Sequence, residues 1–430
     1  MTQYDTVVIG AGTAGLTTAC HLAQSGQKVL VVAKGIGALL LASGSIDVLG
    51  FHPADSLSPV KNPAEKLDDF LAARPDHPYN LVGKETLKAG IDQFLKLVNQ
   101  AGLDYQGDLN RNWMLPSGMG AVHPTCLAPA SMVKGDLSTG ESMLIVGFNE
   151  LRDFFPALIA QNINEQKLGV EAGSISLEIN IPIAGAMNAT PIELAHAFEQ
   201  DAFRNQVIKA IAAQAKSYDR VGFPAALGIK QHATAVVHLE KQLNRPVFEI
   251  SSLPPSVPGR RLYEALKAAL LKAGGRLIIG SQIVEGTIEN GRITQIRMET
   301  ASRLKAVIAH HYVLATGGIF GGGIFADAEG TVTEPIFNLP VAADTNRHHW
   351  FEKKFISPTG QPVFNFGVKA NSRLQPLNGD SQPVAENLYV AGAVIAGSEW
   401  TRGRTGEGIA VATAAAITEH ITSQAAKSLR

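Results

Sequence analysis

Residue types that do chemistry gather in this chain where glycines follow apolar runs and where arginines stand beside them. The first such place is Thr6-Val7-Val8-Ile9-Gly10-Ala11-Gly12-Thr13-Ala14-Gly15-Leu16. A short apolar run, a tight turn and a helix start are the context in which G-x-G-x-x-G seats a phosphate. Gly10 permits the sharp turn, Gly12 lets the backbone approach the phosphate, and Gly15 lets the helix pack against the strand. The helix start offers unpaired N–H groups and the positive end of its dipole to the anion.

Two later segments repeat the pattern of a strand ending in glycine: Tyr312-Val313-Leu314-Ala315-Thr316-Gly317-Gly318 and Glu386-Asn387-Leu388-Tyr389-Val390-Ala391-Gly392-Ala393. Arg402-Gly403-Arg404-Thr405-Gly406-Glu407-Gly408-Ile409 then opens an alanine-rich helix running to about Gln424. Gly406 and Gly408 flank its N-terminus, which is read either as an ordinary cap or as a dipole aimed at a flavin ring. Three glycine-ended strands favour three walls around one nucleotide. Ser43, Gly44 and Ser45 in Leu41-Ala42-Ser43-Gly44-Ser45-Ile46-Asp47 admit two readings, a turn with local caps or a loop laid against a flavin.

The elements that position these residues follow from periodicity. Ala14, Leu16, Ala19, Leu22 and Ala23 recur at helical spacing, with Cys20 among them as a packing residue. Gly26 stops that helix, and Lys28 to Val32 is a second parallel strand. An acidic residue usually stands at the end of that strand to take an adenine nucleotide's ribose; here the chain has Ala33-Lys34. Helices are expected over 85–100, 149–166, 191–216, 232–243 and 260–273. Extended segments are expected over 143–147, 170–181, 221–223, 246–250 and 276–279. An antiparallel meander is expected over 283–288, 292–299 and 304–308, turned at Glu289-Asn290-Gly291. Residues 113–133 read as a boundary, and 254–259, with three prolines, as a linker. The fold class is α/β: a Rossmann-like flavin-binding domain with a parallel sheet and a small meander, carrying an inserted α/β domain. The expected division is 1–115 and 254–430 for the cofactor domain and 116–253 for the insertion.

Composition narrows the function classes. With 430 residues, 45% of them hydrophobic, and a formal net charge of −1, the chain has ample core and no overall attraction for nucleic acid. Cys20 and Cys126 form no C-x-x-C pattern, so no iron–sulfur cluster is encoded and any cluster belongs to another chain. No apolar run reaches the roughly 20 residues of a membrane span. The start, without a basic n-region, fits a cytoplasmic protein that meets a membrane through a partner.

The glycine motifs resemble the flavoprotein superfamily of glutathione reductase and fumarate reductase. Ser43-Gly44-Ser45-Ile46-Asp47, Asp76-His77-Pro78-Tyr79, Leu253 to Leu262 and Phe366-Gly367-Val368 add a narrower resemblance, to the B-subunit family of anaerobic glycerol-3-phosphate dehydrogenases. The resemblance implies oxidation of sn-glycerol 3-phosphate to dihydroxyacetone phosphate, with electrons passed to quinone. It implies FMN in this chain, with FAD as the alternative. The implied partners are a catalytic A subunit that contains FAD, together with a membrane-attached iron–sulfur C subunit. The absent acid after the second strand is consistent with a flavin lacking adenosine. The expected place is the cytoplasmic side of the inner membrane, peripheral through those partners.

Flavin-linked alcohol oxidation requires a base for the hydroxyl proton and cations for the substrate phosphate. Arg260, Arg261, Arg402 and Arg404 are the candidates for the phosphate, Arg404 also for catalysis; His123, His348 and His349 are the candidates for the base. Histidines of this kind are more often surface or satisfied core groups, and His348-His349 lacks metal-ligand company. Two other readings stand beside this one: an electron relay without its own alcohol chemistry, and a scaffold that has lost its cofactor.

Overall fold

The computed structural model describes residues 3–54, 56, 58–178 and 188–428. Strand β1 (Gln3–Ile9), helix α1 (Thr13–Gln24) and strand β2 (Val29–Ala33) open the chain as expected. Further on come α2 (Lys84–Gln100), the hairpin of β3 (Trp113–Pro116) and β4 (Val122–Thr125), and the strands β5 (Met143–Phe148), β6 (Ala172–Leu177), β7 (Arg220–Pro224) and β8 (Val247–Ile250). Helix α3 (Val257–Lys272) leads to β9 (Arg276–Ile279), β10 (Ile283–Glu289), β11 (Arg292–Glu299) and β12 (Leu304–Leu314). Strand β13 (Leu388–Val390) and helix α4 (Gly406–Ser428) end the described chain.

Two sheets organise these elements. The larger runs β9-β2-β1-β12-β11-β10, with β13 also on β12. Its β9, β2, β1, β12 and β13 are mutually parallel. β12 serves two neighbours in turn: residues 304–307 pair antiparallel with β11, and residues 308–314 pair parallel with β1. The meander is therefore a continuation of the parallel sheet. The smaller sheet, β8-β7-β5-β6, is parallel throughout and has its own buried core. β2, β5 and β8 are buried along their full length, as sheets covered on both faces require.

A buried ion pair ties the smaller sheet to α3. Glu249 of β8 accepts from both Nη atoms of Arg261, at 2.8 and 2.9 Å, and from the Ser131 hydroxyl at 2.9 Å. Burial opposes its charge, but Arg261 and His232 outweigh burial and bring the carboxyl down to about 2. Arg261, a candidate for the substrate phosphate by sequence, is committed here instead. Its remaining Nε donates to the Gly228 carbonyl at 2.8 Å.

Several expected boundaries move for local reasons. The helix expected from 149 starts at Pro156, because Leu151 and Phe154 turn into the core first. The helix expected over 191–216 is two, Pro191–Phe198 and Asp201–Ala215. Between them the Glu199 carboxylate accepts the N–H groups of Ile229 and Lys230, at 3.0 and 2.6 Å. The stretch expected over 170–181 is a strand at Ala172–Leu177, and residues 179–181 lie outside those described. Within residues 254–259 the helix begins: Ser256 caps α3 through the Gly259 N–H at 3.0 Å, and Pro258 sits in its first turn. Residues 113–133 form the β3/β4 hairpin, a strand at Leu127–Pro129 and a short helix. Among the described residues no helix is long and apolar enough to cross a membrane.

Candidate functional site

The three glycine turns leave one edge of the larger sheet side by side. Ile9 stands beside Leu314, and Leu314 beside Val390. Gly10 has φ +119°, and a Cβ there would strike the Ala315 carbonyl, so no side chain fits. Gly12 is different. Its φ is −80°, and a Cβ on it would meet nothing within 4 Å, so the space it faces holds no protein atoms. Helix α1 has no side-chain cap, and its first helical bond runs from the Leu16 N–H to the Gly12 carbonyl at 3.0 Å. The amides of Thr13, Ala14 and Gly15 precede that bond and are the donors that favour an anion.

Gly317 and Gly392, on the other two turns, have φ of +78° and +71°. The Gly392 N–H donates to Thr413 of α4 at 3.0 Å, which joins the third turn to the last helix. Beside the second turn, the buried Thr316 hydroxyl has no partner among the described residues. The chain after β2 folds back over the first turn, so that a Cβ at Gly37 would lie 3.0 Å from Gly12 Cα.

That returning segment leads inward to an acid. The Ser43 and Ser45 hydroxyls are 2.6 Å apart, and Ser45 donates to Asp47 Oδ1 at 3.2 Å. Asp47, buried, lies 2.8 Å from His123 Nε2 on β4 and 3.2 Å from Arg404 Nη1. Burial works against its charge, yet His123 and Arg404 prevail and hold the carboxyl well below the usual carboxylate range. An ionised carboxylate only accepts, so His123 Nε2 donates, and in the neutral ring Nδ1 is left as the acceptor.

Glu407, in the first turn of α4, completes the group. Burial first, then the Asp47 carboxylate, pushes its carboxyl up to about 8, against its own backbone bond and Arg404. At neutral pH it is mostly a carboxylic acid. Two carboxyls with oppositely displaced affinities, an imidazole and a guanidinium are the equipment of proton transfer next to an anion. The placement is maintained from behind. The Tyr79 hydroxyl, donating toward the Val48 and Thr405 carbonyls, lies 3.0 and 3.3 Å from them, and the His77 ring is 3.3 Å from the Thr405 hydroxyl. Burial, aided by Arg74, brings His77 down to about 3, so that ring is neutral. The Gly50 N–H donates to the Gly403 carbonyl at 2.7 Å. Arg404 is thereby held at φ +51°, a conformation that costs a non-glycine residue about 1–3 kcal/mol.

Of the residues singled out by sequence, His123, Arg404, Ser45 and Gly408 meet around Asp47, with the Gly408 N–H donating to the Asp47 carbonyl at 3.0 Å. Gly406 is packed under Trp400. Gly44 is pressed against Pro258 at the start of α3, with its carbonyl taken by the Tyr105 hydroxyl. Arg402 belongs to the same loop as Arg404, and its buried Nε has no partner among the described residues. Arg260 points along the outer face of α3 to Glu264 at 2.7 Å, not to the 402–404 loop. His348 and His349 lie on the exposed turn Arg347–His349, where His349 is 3.0 Å from Asp344. Asp47 and Glu407 were not among the sequence candidates. The signal for Asp47 was a lone acid inside the apolar run Ile46 to Leu49.

The family described as "FAD binding domain" matches residues 5–410 of this chain. The probable B subunit of an anaerobic glycerol-3-phosphate dehydrogenase from Halobacterium salinarum is 32% identical over 423 residues, covering 96% of each chain. The chain belongs to the FAD-binding flavoproteins, in the family of anaerobic glycerol-3-phosphate dehydrogenase B subunits. Its Vibrio cholerae relative of that name is 29% identical over 98% of this chain and 97% of its own. Among solved structures, a 3-ketosteroid delta1-dehydrogenase from Sterolibacterium denitrificans is 13% identical, with TM-score 0.47, over 99% of this chain and 100% of its own. A flavocytochrome c3 fumarate reductase is 11% identical, with TM-score 0.46, over 98% of this chain and 78% of its own. As a member of this family the chain is a flavin oxidoreductase, and its residues fit the cofactor. The protein-free space at Gly12, the three uncapped amides and the orphaned Thr316 hydroxyl are the features a flavin phosphate and ring edge would use. At the end of β2, Lys34 is exposed where a ribose-binding acid would stand.

Proposed function

We propose that this chain is a flavin-bearing member of a respiratory dehydrogenase complex that converts sn-glycerol 3-phosphate to dihydroxyacetone phosphate and passes electrons to quinone through partner subunits. One observation carries the reading: a buried carboxylate, Asp47, orients the imidazole of His123 beside the guanidinium of Arg404. The names of the relatives supply the substrate. A secondary alcohol carrying a phosphate calls for a base, a cation and an acceptor of two electrons. A bound flavin supplies the acceptor.

The chain's own groups do the rest. His123 Nδ1 takes the hydroxyl proton, while Asp47 fixes the tautomer and stabilises the imidazolium that forms. Arg404 gives one N–H to Asp47, and with its side chain 37% exposed it keeps others for the substrate phosphate. Arg402, with a free Nε, is the second phosphate ligand. His348 and Arg260 take no part. Gly10, Gly12 and Gly15 seat the cofactor phosphate, and Ser43, Gly44, Ser45, Thr316, Gly317, Gly392, Gly406 and Gly408 are the proposed remaining cofactor contacts. The cofactor is FMN, supported by the missing acid after β2; FAD is the alternative that the family description favours. Residues 1–115 and 254–430 form the cofactor unit and 116–253 the insertion. The partners are an FAD-containing A subunit and an iron–sulfur C subunit that keeps the complex at the cytoplasmic face of the inner membrane.

Heat release of the cofactor and its identification by mass test the first step. Anaerobic addition of glycerol 3-phosphate to the isolated chain should bleach its flavin absorption band, and His123→Ala should slow the bleaching while leaving the band in place. A chain that purifies without flavin refutes the reading. Bleaching seen only in the assembled complex assigns the alcohol chemistry to a partner and leaves this chain an electron relay.

A further inference from the structure

One loop of this protein holds its apolar side chains outward. Phe351, Phe355 and Ile356 are 62%, 95% and 72% exposed. The loop is nevertheless firmly tied. The buried Gln361 amide donates to the Lys354 and Phe355 carbonyls, both at 2.9 Å, and accepts the Glu352 N–H at 2.8 Å. Beneath it Trp350, Val363 and Phe366 form a small apolar core. An aromatic surface continues alongside, with the Phe320 and Phe364 rings 5.2 Å apart and Phe364 stacked on Trp400 at 6.3 Å.

Charge accompanies this tip. Lys353 and Lys354 are exposed, and neither forms an ion pair among the described residues. Arg347 is exposed nearby in the chain. Glu352 is the one carboxylate within 351–356, and Asp344 is occupied by His349 at 3.0 Å. Protein interfaces are depleted in lysine relative to the rest of the surface. Two projecting phenylalanines with a pair of lysines between them are instead an arrangement that suits a bilayer surface, apolar groups among the acyl chains and ammonium groups at the headgroups.

We propose that the 351–356 loop is a direct contact of this chain with an anionic lipid bilayer surface, additional to any attachment through partners. The inference is independent of the flavin reading, since none of its residues belongs to the Asp47 site or the glycine turns. Flotation of the full chain with vesicles tests it, using phosphatidylcholine alone and phosphatidylcholine with about one-third phosphatidylglycerol. The chain should float with the anionic vesicles, less so as salt is raised. The double variant Phe355→Ser, Ile356→Ser should bind them at least about tenfold more weakly. Lys353→Glu with Lys354→Glu should remove the preference for anionic over neutral vesicles. Unchanged thermal unfolding of both variants keeps the comparison clean. A wild-type chain that stays with the soluble fraction, or variants that float equally well, overturns the proposal. Variants that float normally but no longer co-purify with partner subunits overturn it in favour of a protein interface.

Discussion

Substituting valine for Gly12 separates holding a cofactor from holding the fold. The backbone there, φ −80°, suits any residue, and a Cβ meets nothing within 4 Å, so the new methyl groups enter space that no protein atom uses. Valine is a poorer residue than glycine at a helix N-cap, which costs about 1 kcal/mol. That is small against the roughly 5–15 kcal/mol that stabilise a typical domain. The same methyl groups stand where an anion would reach the amides of Thr13, Ala14 and Gly15. Each charge-assisted hydrogen bond is worth about 1.5–3 kcal/mol. Losing two of the three weakens flavin binding by about 3–6 kcal/mol, or roughly 10²- to 10⁴-fold. The assay is the ratio of flavin to protein absorbance after purification, with thermal unfolding measured on the same sample. Gly12→Val should be folded and colourless. Gly15→Ala, whose Cβ would strike the Gly10 carbonyl, should lose stability as well as colour. A Gly12→Val protein with stoichiometric flavin refutes the phosphate seat.

Other perturbations report on the charged groups. Glu249 lies at about 2 in the fold against an ordinary 4.5, which links to about 3 kcal/mol of stability. That contribution is present above 4.5 and fades as pH falls toward 2, so Glu249→Gln should weaken urea resistance at neutral pH and much less in acid. Glu407 is displaced the other way, to about 8. Its native protonated form is favoured below its ordinary value of 4.5, and that advantage is lost as pH rises through 8. Glu407→Gln should therefore raise the thermal midpoint in alkaline buffer more than in acidic buffer. Arg404→Ala should lower kcat/KM for glycerol 3-phosphate by roughly 10- to 10³-fold in the assembled enzyme, with flavin content unchanged. Unaltered kinetics would remove Arg404 from the site.

How much of this was legible depends on the range of the interaction. β1, β2, β5 and the meander announce themselves because apolar runs and Asn290-Gly291 act within a few residues. The break at residues 199–200 carries no glycine or proline; it is imposed by a carboxylate that binds N–H groups about 30 positions further on. The prolines at 254–258 read as a linker, although Ser256 caps a helix there; the Ser256 N–H to Leu40 carbonyl bond at 2.8 Å, which anchors that helix start, joins distant segments. The site shows the same limit. Its glycines are visible in pattern, whereas Asp47 becomes a catalytic candidate only through His123, 76 residues away, and Arg404, 357 away. Local order in Ser43 to Asp47 shows only hydroxyl contacts two residues apart.

The double duty of β12 has a consequence for biosynthesis. β1 leaves the ribosome about 300 residues before the end of the strand that covers its second edge, Leu314. At about 5–20 residues per second, that edge stays open for some 15–60 s. The smaller sheet draws all four strands from 143–250 and has its full set of strands well before then. A nascent chain thus carries an exposed apolar strand beside an assembled neighbour, a window in which chaperone capture competes with aggregation. On the proposed cofactor site, flavin loading waits until β12, β13 and α4 have been made.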